Sequence, residues 1–197
     1  MWCGENCGVS TAGSGAVGDP GQAGPEGRPG VRLRAAGPQD AAALLALKQR
    51  LDRETSFMLL EPTERDAAVP ALARELEGMA RSGNSVVIVA DAGGELAGYV
   101  ELAGGGFRRN RATALVVIGV LAAAGGRGIG GALLAEAKRW AAGHGLHRLE
   151  LTVMAHNDRA IELYRRAGFA IEGRRTECLI IDGRFVDELY MAAVLSP

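Results

Sequence analysis

Two short stretches of this chain carry residue types at spacings that could do chemistry. The first is Gly125-Gly126-Arg127-Gly128-Ile129-Gly130-Gly131, lying between an apolar run and an amphipathic one. A helix N-terminus presents unpaired N–H groups and the positive end of the helix dipole, and glycine lets a phosphate approach that backbone closely. Arg127 adds a positive charge. Five glycines in seven positions exceed what a plain strand-to-helix turn requires, so the stretch reads as a phosphate loop. Its ligand stays open at this level. Gly126-x-Gly128-x-x-Gly131 also fits the dinucleotide fingerprint, and Glu150 falls about 20 residues downstream, where a ribose-binding acid sits. An NAD- or FAD-binding oxidoreductase is therefore the alternative. Against it, the loop lies past the middle of the chain, Ala122–Ala124 loosen the turn, and a single helix follows.

The second stretch is Asn157-Asp158-Arg159-Ala160-Ile161-Glu162-Leu163-Tyr164-Arg165-Arg166-Ala167-Gly168-Phe169. Asn157 can cap a helix, and Gly168 can end it in a left-handed turn. Ala160, Ile161 and Tyr164 share one face at spacings of three and four. The result is a helix whose inner face ends in a phenol. A lone tyrosine there reads as a core residue with a satisfied hydroxyl.

The elements that must position these stretches follow from periodicity and turn residues. Residues 31–35 alternate as a short strand, and helical spacing runs over 39–53 and again over 66–81. A mixed connection containing Pro62 spans 55–64. Strands over 85–90 and 96–103 make a hairpin, and 112–121 is a long β-rich run. Beyond the glycine loop come a helix to about Ala142, a strand over 148–154 and a helix over 158–167. Two last strands, 169–181 and 185–194, are joined by Asp182-Gly183, a strong hairpin dipeptide. The alternation is that of one α/β unit. Residues 1–30 hold nine glycines and three prolines, too little apolar surface to offset ordering, so a flexible tail is expected there.

A formal net charge of -1 speaks against general capture of nucleic acid or an anionic membrane. Twenty of the 22 cationic residues are arginine, which suits phosphate and carboxylate pairing. Cys3, Cys7 and Cys178 form neither a disulfide framework nor a metal site, so no metal is expected. No run is long and apolar enough for a membrane span, and the N-terminus has no secretory pattern. A cytoplasmic protein is the expectation.

Together the two stretches resemble the Gcn5-related N-acetyltransferase (GNAT) superfamily. Its phosphate loop reads Arg/Gln-x-x-Gly-x-Gly/Ala, and its second signature, Asn-x-x-Ala-x-x-Leu-Tyr-x-x-x-Gly-Phe, is matched throughout by residues 157–169. The element order is similar too, and the resemblance covers about residues 31–195. It implies a single α/β (α+β) domain over 31–197. A central mixed sheet of six to seven strands would be flanked by about four helices, its strands splayed at the cofactor cleft. It implies acetyl transfer from acetyl-coenzyme A to a primary amine of a small molecule or peptide. The pyrophosphate would rest on Gly126, Arg127, Gly128, Ile129, Gly130 and Gly131. The pantetheine arm would pair with the backbone of Val120, Leu121 and Ala122, flanked by Asn157 and Ala160. A backbone N–H near Val120 would stabilise the developing oxyanion, and Tyr164 stands where the family's general acid does.

The acceptor would lie between Phe57, Met58, Leu59 and Glu61 on one side and Arg184, Phe185 and Asp187 on the other. Glu101 or Glu61 could serve as base through water, and both also read as surface carboxylates. Homodimers are common in such folds. One position departs from the pattern: Gly125 stands where the family has Arg or Gln. A side-chain contact is then absent, with Arg127 the nearest substitute, and a non-catalytic coenzyme A-binding module is a further alternative.

Overall fold

A computed structural model of the chain describes residues 30–195. The tail expected over 1–30, Cys3 and Cys7 included, lies outside the described residues except for Gly30.

The chain runs β1 (Arg32–Ala35), a 3-10 turn (Pro38–Asp40), α1 (Ala41–Glu54), α2 (Val69–Ser82), β2 (Val86–Asp91), β3 (Leu96–Gly104) and β4 (Thr113–Val120). A second 3-10 turn (Ala122–Ala124) leads to α3 (Ile129–Gly143), β5 (Arg148–Met154), α4 (Asp158–Arg166), β6 (Ala170–Ile181) and β7 (Arg184–Val194). The seven strands form one sheet in the order β1-β2-β3-β4-β5-β7-β6. The mixed sheet and four helices of the expected fold are all present.

Local chemistry accounts for most boundaries. Asp182 and Gly183 both take positive φ, 49° and 74°, as a two-residue type I′ hairpin requires. In the β2–β3 hairpin the Asp91 carboxylate accepts the Gly94 N–H at 2.7 Å. β2 is buried over Val86–Ala90 because helices cover both faces of the sheet at that point. α1 packs over Tyr99 and Gly119, while α3 packs on β2, β3 and β4. Val100 and Leu102, which alternate with Tyr99, are fully buried on the opposite face.

Two boundaries differ from the sequence expectation. α2 begins at Val69 rather than near Asp66, with Pro70 in its first turn, where proline's missing N–H removes no helical bond. Asp66 instead accepts the Ala68 N–H at 2.9 Å, a local turn that competes with helix. The glycine stretch is not all loop, for Gly130 and Gly131 already lie in the first turn of α3.

Among the described residues β4 and β5 make the only parallel pair, and it is short: Thr113 with Arg148, Ala114 with Leu149 and Leu115 with Glu150. Beyond Leu115 the two strands diverge. β4 stays paired with β3 out to Val120 opposite Gly98, and β5 stays paired with β7 out to Met154 opposite Glu188. A wedge therefore opens inside a continuous sheet. This topology also overturns the dinucleotide alternative, which needs successive parallel βαβ units. Glu150, its candidate ribose ligand, is 3.0 Å from Arg148 Nε.

Gly119 lets α1 close over β4: a Cβ there would stand 2.6 Å from Leu51 Cδ1 and 3.1 Å from Tyr99 Cε1. Gly119→Ala is expected to destabilise the domain by about 1–3 kcal/mol through overpacking. A urea midpoint that falls at unchanged slope would register it; an unchanged midpoint would contradict the packing argument.

Candidate active site

The glycine loop ends in an open backbone cradle. Gly126 and Gly128 take φ of 73° and 78°. Gly128 is the N-cap of α3, and the helix's first bond runs from the Ala132 N–H to the Gly128 carbonyl at 3.0 Å. Among the described residues no acceptor meets the N–H groups of Gly126, Gly128, Ile129, Gly130 or Gly131. A Cβ at Gly126 or Gly131 would meet nothing within 4 Å. Unpaired donors, a 15-residue helix behind them and open space in front suit an anion such as pyrophosphate.

The open edge of β4 is the second part. Residues 116–120 have no partner across the wedge, so an extended ligand can pair there as an added strand does. At its end, the groups taken from the resemblance are partly used. The Leu121 N–H donates to the Ala97 carbonyl at 3.0 Å, and the Ala122 N–H donates to the Glu54 carboxylate at 3.1 Å. That bond and Arg50 hold the Glu54 carboxyl below the usual carboxylate range. Glu54 has no motif around it. Its contact joins residues 68 apart in sequence, and no spacing rule could have found it.

α4 is capped at both ends by the residues of the second signature. Asn157 Oδ1 accepts the Ala160 N–H at 3.2 Å, which leaves the amide nitrogen as a donor. At the other end Gly168 takes φ of 83°. The Gly168 N–H reaches the Arg165 carbonyl and the Phe169 N–H the Tyr164 carbonyl, both at 2.9 Å. This is the Schellman pattern, and the apolar contact that accompanies it is Phe169 on Tyr164, ring centroids 5.9 Å apart. Tyr164 is thus gripped by the turn that ends its own helix. Burial pushes its phenol up to about 12. No described residue hydrogen-bonds its hydroxyl, yet no described side-chain oxygen is sealed without a partner, so the phenol oxygen keeps an opening.

One close approach brings these parts together. A Cβ on Gly130 would stand 3.1 Å from Leu163 Cδ2 and 3.9 Å from Val120 Cγ2. α4 therefore rests on the first turn of α3, beside the end of β4.

The residues expected on the acceptor side come from distant segments. Phe57, in the α1–α2 connection, stands 5.3 Å from the His156 ring between centroids. His156 lines a cleft of about 420 Å³ with Arg174, Glu177, Phe185 and Asp187. Adjacency to Asn157 was the only sequence signal for His156. Asp187 accepts the Glu177 N–H at 2.7 Å and Arg174 Nε at 2.6 Å, and the two together hold its carboxyl low. Arg184 does not line this cleft. Met58 is half-buried, Leu59 is exposed, and Glu61 is exposed in a turn where its N–H donates to Glu64. Glu101 is not a free surface carboxylate: Lys48 Nζ holds it at 2.7 Å and lies over the Tyr99 ring.

The connection is latched by Arg65, whose Nε and Nη2 meet Asp52 at 2.5 and 2.8 Å. The Asp52 side chain has no solvent exposure. Its carboxylate keeps the Arg65 guanidinium more firmly charged. Among the described residues no cluster of three or more His, Cys, Asp and Glu could hold a metal ion. No helix among them is long and apolar enough to cross a membrane.

Comparison with known proteins agrees with this geometry. The profile of the acetyltransferase (GNAT) family matches residues 49–169. The L-methionine sulfoximine/L-methionine sulfone acetyltransferase of Pseudomonas paraeruginosa (strain DSM 24068 / PA7) is 30% identical over 122 residues, 61% of this chain and 71% of that protein. A shorter match, 45% identical over 47 residues, covers 24% of this chain but only 29% of the L-amino acid N-acetyltransferase AaaT of Escherichia coli K12. Among solved structures, a GNAT-family acetyltransferase from Streptococcus pneumoniae superposes with a TM-score of 0.81 at 31% identity, over 84% of this chain and 99% of that one. The Salmonella typhimurium protein yncA, solved with its cofactor acetyl-CoA, shares the fold at a TM-score of 0.76 and 22% identity, over 85% and 95% of the two chains.

Arg65→Leu would strand the buried Asp52 carboxylate, and a loss of about 3–5 kcal/mol is expected in chemical denaturation. Pairing it with Asp52→Leu should restore most of that loss. A double variant as unstable as the single one would show that the latch is not held by charge pairing.

Proposed function

The chain belongs to the acetyltransferase (GNAT) family, and from that we propose that it moves an acetyl group from acetyl-coenzyme A to the primary amine of a small molecule. The catalytic domain is residues 31–197. One observation carries the reading: the unpaired N–H row of α3 and the open edge of β4 meet where α4, the helix that carries Tyr164, rests on Gly130.

Acetyl-coenzyme A supplies an acyl group activated as a thioester. The N–H groups of Gly126 to Gly131 would hold its pyrophosphate, and the open edge of β4 up to Val120 would receive its pantetheine arm. Asn157 and Ala160 flank that arm, and a backbone N–H near Val120 polarises the carbonyl. Tyr164 Oη holds a proton and delivers it to the departing sulfur. Alone that transfer is uphill, because a phenol near 12 faces a thiol whose usual value is about 8.5. The amine loses a proton as it acylates, and return of that proton to Oη restores the phenol. The net movement is from nitrogen to sulfur. Glu101 and Glu61 are assigned no step, since positioning alone can serve an amine that arrives neutral.

A small amine is the acceptor we favour: His156 and Phe185 line the cleft beside the Glu177 and Asp187 carboxylates, and Phe57 packs on the His156 ring. L-Methionine sulfone and other L-amino acids are the first acceptors to test, with polyamines and peptide N-termini beside them.

Acetyl-coenzyme A should raise the melting temperature, NAD and FAD should not, and an amine should trigger release of free thiol. Binding without release for every amine would reduce the chain to a coenzyme A-binding module. Stabilisation by NAD alone would remove the reading altogether. Tyr164→Phe should lower kcat by about 10²-fold, the size of a positioned acid, with little change in acetyl-coenzyme A affinity. Because burial raises the phenol, Tyr164 keeps its proton through neutral and mildly alkaline pH. Its ionisation should therefore put no falling limb on kcat below about pH 10. A limb in that range lost in Tyr164→Phe would contradict the burial argument.

A further inference from the structure

The missing side chain of the phosphate loop has left a space, and another residue occupies it. A Cβ on Gly125 would stand 2.8 Å from Arg159 Nη2 and 3.7 Å from Arg159 Cζ. The guanidinium of Arg159, carried on α4, therefore lies where a side chain at 125 would begin. It makes no hydrogen bond or ion pair with any described residue, and it is exposed. Its place is locally unfavourable: the second position of a helix faces the positive end of the dipole, where anions are preferred. An unpaired cation held there against the helix field satisfies no need of the fold.

We propose that Arg159 is the anion-binding side chain of the phosphate loop, taking over from α4 the contact that Gly125 cannot make. This rests on the acetyl-coenzyme A reading and extends it to a named residue. The ligand chemistry is a phosphate diester or pyrophosphate, whose oxygens a guanidinium can bind in bidentate fashion. With Arg159 in this position, a longer side chain at 125 and the guanidinium would compete for one volume. Arg127, nearer in sequence, is not needed for this role.

Titration calorimetry with coenzyme A, dephospho-coenzyme A and pantetheine separates the possibilities. Arg159→Gln should weaken coenzyme A and dephospho-coenzyme A equally, by about tenfold, the worth of one charge-assisted hydrogen bond. Pantetheine, which lacks the pyrophosphate, should be unaffected. The dependence of log Kd on log salt should also become shallower in Arg159→Gln. Gly125→Arg in the otherwise natural chain should weaken binding through collision with Arg159. In an Arg159→Ala background the same Gly125→Arg should restore it. Equal coenzyme A affinity in natural chain and Arg159→Gln would overturn the inference, as would an equal loss for pantetheine. A natural chain that binds no coenzyme A at all would instead overturn the acetyltransferase reading on which it rests.

Discussion

The site depends on one limit to hydrogen bonding inside the sheet. β4 and β5 share three residue pairs and then part. Each is committed elsewhere, β4 through seven pairs with β3 and β5 through seven with β7. Neighbouring strands twist relative to one another, so two ribbons anchored on opposite flanks need not stay in register along a shared seam. Where the seam opens, backbone donors and acceptors of β4 lose a partner within the fold. Unmatched backbone groups at a sheet edge form a template for an extended ligand. The wedge thus offers such a template, made by leaving a ladder unfinished.

Everything else about the site serves to line that wedge. The αL residue Gly128 starts α3 so that its first N–H groups face outward. The smallness of Gly130 lets Leu163 approach, which sets α4 against that first turn. α4 in turn brings Asn157 by its N-cap and Tyr164 by the turn at Gly168. The opposite bank is held by charge. Arg65 fastens the α1–α2 connection to buried Asp52, and Lys48 binds Glu101 beneath it. Paired charges of this kind are weak evidence for net stability, but losing one partner is severe. They fix where the connection lies, and with it the placement of Phe57 against His156.

The features legible in the sequence are those whose cause lies within a few residues. Asn157 as a cap, Gly168 as a helix end and Asp182-Gly183 as a hairpin are consequences of local dihedral preference and short-range hydrogen bonds. The bounds of β5 and both hairpins follow the same logic. Where two local rules compete, reading along the chain falters. Asp66 looked like the start of a helix, but its carboxylate closes a short turn, and Pro70 sets the true start. The start of α3 inside the glycine run was likewise hidden, because glycine has no spacing pattern to display.

The sequence by itself determined the elements, their order, the glycine-rich turn into α3 and the capped helix that carries Tyr164. These rest on spacing and turn chemistry, which a linear string contains. Only the tertiary structure decided which groups remain free. It assigned the Ala122 N–H to Glu54 and Glu101 to Lys48, it brought His156 to Phe57, and it placed the Arg159 guanidinium over Gly125. Such pairings join residues tens of positions apart, and closing those loops costs only chain entropy that grows slowly with length. Packing therefore selects among many distant partners with no residue spacing to announce the choice.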